Sequence, residues 1–352
     1  MQEVRNIHAV NENKKPGAPG TDPNLLKPIM IQEGISYTKL FTDIQIQTIQ
    51  FCNLKCSFCP NHYMIWDRIA DKKKGIPYKK MSFELYEKIM KNLKEINFRG
   101  RVSPYLMNEP LIDKDRMVKF IEITREYLPE SVIVLNTNGT GLTTELLENM
   151  IEAGLDHIQI DDYLGEKYFQ KILKEVSPLF YVDKNNIKLH TWKYKDKCEL
   201  IISSNYNVEQ IKSPVKDKDG NIVRNERGNP VSDPKPTTFP YTYWNRGGLV
   251  KLNEDIPVPN KDCSYPSRQM YINFEGDALL CCCDWEEMVV MGNANKERLE
   301  HIWINEKYKH YRQTLLKGER KKLEMCRKCN KGGCDSEAER NSTKATQGLF
   351  QG

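Results

Sequence analysis

Three cysteines, Cys52, Cys56 and Cys59, stand in the run Phe51-Cys52-Asn53-Leu54-Lys55-Cys56-Ser57-Phe58-Cys59-Pro60. Thiolates at this C-x3-C-x2-C spacing can hold three corners of a cubane 4Fe-4S cluster and leave the fourth iron without a protein ligand. A small molecule can coordinate that open iron and take an electron from the cluster. Zinc is the first alternative. It asks for four ligands, usually paired as C-x2-C units, and no obvious fourth ligand lies close to Cys59. A disulfide framework and inert buried thiols are the others.

Such a loop has to be held at the end of something rigid. From Thr42 the alternation Ile44, Ile46, Thr48 predicts a strand that ends at the cysteine loop. Ser82 then opens a helix with Phe83, Tyr86, Met90 and Leu93 on its apolar face. Further strands are predicted over 102–107, 131–136 and 157–161, with helices over 114–127 and 143–153 between them. Strand and helix alternating at this spacing predict a parallel sheet, with the active face at the carboxyl ends of its strands. Polar turns stand at those ends: Met107-Asn108-Glu109-Pro110, Asn136-Thr137-Asn138-Gly139-Thr140 and Asp161-Asp162-Tyr163.

The first cysteine run resembles the signature of the radical S-adenosylmethionine (SAM) enzymes, in which an aromatic stands in the place of Phe58. The resemblance implies a partial (β/α)6 TIM-like barrel with parallel strands. It also implies that SAM chelates the open iron and is cleaved to a 5'-deoxyadenosyl radical that takes a hydrogen atom from substrate. Glu109-Pro110 resembles the end of the family's Gly-Gly-Glu-Pro turn, which meets the SAM amino group, although Met107 and Asn108 replace the glycines. Asn138 and Gly139 fall in a turn similar to the family's Thr-Asn-Gly segment near the SAM ribose and methionine. Asp161 stands where the family usually has a Ser-containing segment. Phe58, Glu109, Asn138 and Asp161 are thus the expected cofactor-binding residues.

A second constellation follows. Cys263, Gly276 and Cys281 form C-x12-G-x4-C, and Cys326 and Cys329 form a later C-x2-C pair. This is similar to the auxiliary-cluster domain that many radical SAM enzymes append, in its short twitch form rather than the full SPASM form. The resemblance implies a second, closed 4Fe-4S cluster on Cys263, Cys281, Cys326 and Cys329 that relays electrons; a structural zinc site is the alternative. The run Cys281-Cys282-Cys283 leaves the choice of ligand open. Cys198, Cys282, Cys283 and Cys334 are left over, and Cys282 is carried as a catalytic candidate, because a thiol near substrate can return a hydrogen atom to a substrate radical. Most spare cysteines are small core residues. Arg246, in Asn245-Arg246-Gly247-Gly248, resembles an Asn-Arg-x-Gly segment near the junction of barrel and cluster domain. It is the second catalytic candidate, able to fix a hydroxyl or carboxylate or to hold the domain joint.

The expected divisions are a polar lead-in over 1–41, the barrel over 42–250, a twitch/SPASM-type domain over 251–334 and a polar tail over 335–352. The stretch from Ser213 to Pro240, rich in turn residues, is a candidate substrate lid or interdomain insertion. One helix over 296–317 is expected to pack the second domain on the barrel. The N-terminus, Met1-Gln2-Glu3-Val4-Arg5, has no apolar leader, and no stretch is long enough to span a bilayer. A cytoplasmic location without membrane contact is therefore expected, where eleven cysteines read as metal ligands before disulfides. The net charge of +5 is spread along the chain, and no nucleic-acid partner is expected.

The cysteine spacing is most similar to that of 2-deoxy-scyllo-inosamine dehydrogenases. That implies oxidation, or epimerisation, of a cyclitol, sugar or other small alcohol, with a flavodoxin- or ferredoxin-type reductant. Epimerisation or crosslinking of a ribosomally made peptide is the rival; residues 1–41 cannot supply the peptide-binding domain such enzymes often carry. An iron–sulfur or zinc protein that only binds a partner is the reading outside enzymes.

Overall fold

The computed structural model describes residues 40–54, 56, 59–61, 78–176, 178–182, 188–191, 198–204, 249 and 262–330. Phe58, Arg246, Cys334, the expected lid over 213–240, residues 1–39 and the tail over 335–352 lie outside them.

Among the described residues ten strands form one sheet. They are β1 (Asp43–Ile46), β2 (Arg101–Ser103), β3 (Val132–Thr137), β4 (His157–Asp162), β5 (Phe180–Val182), β6 (Lys188–Thr191), β7 (Glu199–Ser204), β8 (Gln269–Ile272), β9 (Asp277–Leu279) and β10 (Val290–Asn293). Their spatial order is β10-β9-β8-β1-β2-β3-β4-β7-β6-β5. From β8 to β7 every neighbour is parallel, and the hairpin pairs at each edge are antiparallel. The parallel centre is what the alternating pattern predicts, and the antiparallel edges make the whole a mixed, mainly parallel α/β sheet. All the polar strand ends of the parallel portion therefore open on one edge of the sheet.

Helices α1 (Phe83–Glu95), α2 (Lys114–Tyr127), α3 (Thr144–Glu152) and α4 (Glu166–Val176) connect the strands. Their starts follow from capping chemistry. Ser82 Oγ accepts the Leu85 N–H at 3.1 Å and Thr143 Oγ1 accepts that of Leu146 at 3.2 Å, each satisfying one helix-end donor. On β4, Ile158 and Ile160 are fully buried toward the helices, and the alternating residues Gln159 and Asp161 take the other face.

Besides α4, β9 and β10, which were not among the sequence expectations, three segments differ from them. The predicted strand over 102–107 stops at Ser103, because Pro104 has no N–H for the ladder. The predicted helix over 296–317 is two helices, α6 (Leu299–Ile304) and α7 (Glu306–Leu316), following the single turn α5 (Tyr265–Arg268). Asn305 breaks it: its backbone is extended, its Oδ1 accepts the Tyr308 N–H at 2.9 Å and its Nδ2 donates to the Met291 carbonyl at 2.7 Å. An asparagine that caps the second helix competes with continuing the first. The third difference is β8, which has no sequence signature because Met270, Tyr271 and Ile272 are all buried and no alternation marks it.

β8 pairs with β1 along its whole length, so the segment that follows Cys263 is continuous with the first sheet. α6 is fastened to α1, where Asn92 accepts the Leu299 N–H at 2.6 Å and donates to Glu300 at 3.1 Å. Trp303 packs edge-on to Phe41 at 5.1 Å. Arg312 lies buried over the Trp303 ring at 3.8 Å and donates to the Pro266 carbonyl at 2.7 Å, tying α7 to α5. No helix among the described residues is long and apolar enough to cross a membrane.

Candidate active site

The first cysteine loop leaves the end of β1. It is anchored on both sides: the Glu109 N–H donates to the Phe51 carbonyl at 3.0 Å, and the Phe51 ring stacks on Tyr78 at 4.1 Å. Cys59 N–H donates to the Cys56 carbonyl at 3.0 Å, which closes the loop on itself. Cys52, Cys56 and Cys59 are all partly exposed. Burial pushes the Cys52 thiol up to about 12, with the Leu54 backbone opposing and Glu109 and the other two cysteines adding to the rise. Burial, then Cys59, pushes Cys56 up to about 11. Thiols close enough to resist one another's ionisation are a donor set that fits a cationic centre, because bound metal ions reverse that preference.

Glu109 sits at the end of the β2 connection and is 3% exposed. Its Oε1 accepts from the Leu111 N–H at 3.0 Å and from the Thr137 hydroxyl, and its Oε2 accepts from the Asn138 N–H at 2.7 Å. Burial nevertheless pushes the carboxyl up to about 7, with Asp161 adding to the rise against these three donors. Asn138 donates from Nδ2 to Asn53 Oδ1 at 2.9 Å, inside the cysteine loop, and its Oδ1 accepts the Thr140 N–H at 2.8 Å. The ends of β1, β2 and β3 are therefore joined through Glu109 and Asn138. Gly139 follows with φ +75°, a left-handed conformation that brings the backbone close to Ile160 and Ile172.

Asn53, one of three spacer residues in the cysteine run, carries part of this junction without having been marked by the sequence. Thr137, the threonine of the Thr-Asn-Gly segment, carries another part. The two residues in place of the family's glycines also have work here. Asn108 accepts the Leu106 N–H at 3.1 Å and donates to Thr48 at 3.3 Å. Met107 is buried beside Tyr271 and Leu279, in a cluster against which Cys282 packs.

The second group of thiols gathers at the other side of that cluster. The sulfurs of Cys281, Cys282 and Cys283 lie within 4.8 Å of one another. Cys283 is buried and interacts with Cys329, and its thiol is held well above its ordinary range chiefly by hydrogen bonding to Cys281. Burial, then Cys263 and Cys329, pushes Cys326 up to about 12, and Arg320 opposes the rise. Cys263, Cys281, Cys326 and Cys329 are thus brought into one neighbourhood, together with Cys282 and Cys283. Soft, mutually repelling thiols in this number fit an iron–sulfur or zinc centre by the same reasoning. Cys198 is buried in the core away from this group's sequence segment.

Arg320, 2% exposed, clamps the group from below. Its guanidinium donates to the Asp262 carbonyl and to the Cys329 carbonyl, each at 3.3 Å, linking the residue before Cys263 to the later cysteine pair. Replacing Arg320 with Gln is expected to loosen both loops and cut iron bound by the second group to less than half. The Arg320→Lys variant, which keeps the charge but loses the fork, is expected to retain an intermediate amount. Iron content after anaerobic reconstitution, compared with circular dichroism of each variant, checks this.

Tyr105 follows the end of β2, and Asp161 stands near the end of β4. The Tyr105 hydroxyl is pushed up to about 12 by burial, with Arg101 opposing and Asp161 and Cys282 adding. Asp161, at the end of β4, has its carboxyl raised by burial while Gln159, whose Nε2 donates to Oδ1 at 2.8 Å, and Tyr163 oppose. Tyr105 was not marked by the sequence, since nothing distinguishes it from other aromatic strand residues.

Comparison with known proteins agrees with these two groups. Residues 46–177 match the radical SAM superfamily, and residues 263–330 match the SPASM iron–sulfur cluster-binding domain. A relative from Niallia circulans, an S-adenosyl-L-methionine-dependent 2-deoxy-scyllo-inosamine dehydrogenase, is 26% identical over 292 residues, which cover 83% of this chain and 94% of the relative. The crystal structure of BtrN in complex with AdoMet and 2-DOIA is similar in fold, with a TM-score of 0.59, 24% identity, and 85% of this chain and 97% of that one covered. A second BtrN structure gives a TM-score of 0.54 at 20% identity, covering 86% and 98%.

Proposed function

We propose that this chain, a radical SAM enzyme with a C-terminal iron–sulfur cluster-binding domain, oxidises a secondary hydroxyl of a cyclitol, sugar or other small alcohol to a ketone. Its cofactors are SAM, the SAM-binding 4Fe-4S cluster and auxiliary iron–sulfur. When bound, they supply an abstractor of hydrogen atoms and an acceptor of single electrons. The observation that carries the substrate class is the likeness to a 2-deoxy-scyllo-inosamine dehydrogenase along nearly the whole of both chains.

The roles divide among the residues as follows. Cys52, Cys56 and Cys59 hold the first cluster. Glu109, an anion in a dry site, receives the SAM amino group, while Asn138 and the left-handed Gly139 turn shape the wall along the rest of SAM. Cys263, Cys281, Cys326 and Cys329 hold the auxiliary cluster. Substrate then occupies the space between the two thiol groups, bordered by Tyr105, Met107, Asp161 and Cys282, and Arg246 orients it. A flavodoxin- or ferredoxin-type protein in the cytoplasm is the reductant.

Epimerisation is the second reading, favoured by one observation: Cys282 is only partly buried and packs against the cluster of Met107, Tyr271 and Leu279, where a thiol could return a hydrogen atom. Incubation of reconstituted enzyme with SAM, dithionite and 2-deoxy-scyllo-inosamine separates the two. A ketone lighter than substrate by a pair of hydrogen atoms is the expected product. An isomer of unchanged formula that gains deuterium from heavy water would establish epimerisation instead, and the absence of any product would remove this substrate.

A further inference from the structure

Turning a carbinol into a ketone breaks one C–H and one O–H bond and forms one C=O bond. The hydrogen atom and one electron leave to the bound cofactors, and the hydroxyl proton is left for a base. Resting on the alcohol-oxidation reading above, we propose that Asp161 is the catalytic base, its carboxylate taking the proton of the substrate hydroxyl, and that Tyr105 is the positioning residue that aligns this hydroxyl beside it.

Placement is the first argument. Asp161 closes β4, one of the parallel strands whose ends carry the site, and alternates with Ile160 and Asp162, which are buried toward the opposite face. Its field is felt by Glu109 on one side and by Tyr105 on the other, and Tyr105 in turn feels Cys282. The parallel register of β1 to β4 puts Asp161 at the same end of the sheet as the Glu109 and Asn138 turns, which is the end that carries the site.

The other groups of this neighbourhood are already occupied or have the wrong chemistry. Glu109 is held by three donors on the SAM side. Asp162 is 1% exposed and its Oδ1 accepts the N–H groups of Leu164 at 3.0 Å and Gly165 at 3.2 Å, which makes it the cap of the β4–α4 turn. Arg101 is ion-paired to Asp43 at 2.7 Å. Tyr105, protonated up to about 12, is a donor at neutral pH and suits an oxygen that must stay in place while its proton departs. Asp161 remains. Loss of solvent raises its carboxyl above the ordinary range, which improves its match to a hydroxyl proton. Gln159, donating to Oδ1, fixes its orientation.

The test uses the reconstituted holoenzyme and 2-deoxy-scyllo-inosamine deuterated on its ring carbons, with wild type, Asp161→Asn and Asp161→Glu. In single turnovers wild type is expected to place deuterium in 5'-deoxyadenosine and to form the ketone. Asp161→Asn is expected to keep deuterium transfer within about threefold of wild type while ketone falls by at least about 100-fold. Asp161→Glu recovers part of the ketone. Affinity for the probe in the oxidised enzyme, measured by calorimetry, stays within about threefold in both variants. A variant that loses deuterium transfer or probe affinity in step with ketone would make Asp161 a binding residue and overturn the proposal, as would ketone formed by Asp161→Asn near the wild-type rate. Wild type that transfers no deuterium from the probe would instead overturn the cyclitol reading, and the base with it.

Discussion

Glu109→Gln is expected to weaken SAM binding by about 100-fold or more. The carboxylate is buried, and its acceptor lone pairs meet only donors: the N–H groups of Leu111 and Asn138 and the Thr137 hydroxyl. A glutamine amide would turn one N–H₂ toward one of these donors and would offer a cationic amino group no charge. Removing one member of a buried charge pair costs roughly 2–5 kcal/mol. The pH dependence has a definite sign. Burial raises Glu109 to about 7 in the SAM-free protein, above the value of about 4.3 in an unfolded chain. The folded state thus holds the proton over a window in which the unfolded chain has lost it. Stability without SAM is expected to fall as pH rises from about 4.5 to about 7, by up to about 3 kcal/mol. SAM affinity should do the opposite, rising with pH through about 7 as the carboxylate forms, and Glu109→Gln should flatten both trends. Thermal melts between about pH 4.5 and pH 7.5 and calorimetric SAM titrations between about pH 6 and pH 8 measure the two slopes.

Gly139→Ala should be the most damaging single methyl at the site. At φ +75° an alanine sits in a region that costs it roughly 1–2 kcal/mol. The added carbon would also lie 2.8 Å from Ile160 Cγ2 and 3.1 Å from Ile172 Cδ1, between β4 and α4. Overpacking of this kind adds roughly 1–3 kcal/mol. Gly141→Ala separates the two costs, because Gly141 also has a positive φ, +83°, but its added carbon meets nothing nearer than the Leu111 carbonyl at 3.9 Å. A loss of roughly 2–5 kcal/mol is expected at position 139, against roughly 1–2 at position 141. Denaturant midpoints measure both. The Gly139 N–H donates to Thr137 Oγ1 at 3.0 Å, and Thr137 donates to Glu109. Gly139→Ala should therefore weaken SAM binding as well, and Gly141→Ala should leave it near wild type.

What could be read in the sequence was the part written in local signals. Helix α2 appears over the expected residues because its apolar period is clean, and the cap residues Ser82 and Thr143 mark the starts of α1 and α3. The strand ends followed from the alternation of β1 and β4, the apolar run of β3 and the polar turns after them. What was hidden depends on pairing at long range. β8 is buried on both faces and shows no alternation, so its place beside β1 is visible only in three dimensions. The break at Asn305 is one residue in an otherwise helical run, decided by bonds to Tyr308 and to the Met291 carbonyl on β10. Of the site residues, Glu109 and Asn138 stand in turns with recognisable wording. Their partner Thr137 shares the Thr-Asn-Gly wording, whereas Asn53 and Tyr105 carry none and are identified by their surroundings alone. Arg320 belongs with them: it is one basic residue among several before Cys326, set apart by its burial and by the carbonyls of Asp262 and Cys329.

Iron and sulfide content after anaerobic reconstitution, measured for wild type and for a Cys52/Cys56/Cys59→Ala variant and followed by an assay for 5'-deoxyadenosine with SAM and dithionite, tests the two-centre account most directly. The account predicts about eight irons per chain in wild type and about four in the variant, with SAM cleavage abolished in the variant. About four irons in wild type and none in the variant would contradict it. Cys263, Cys281, Cys326 and Cys329 would then hold zinc or nothing, and the proposed oxidation would lose its electron acceptor.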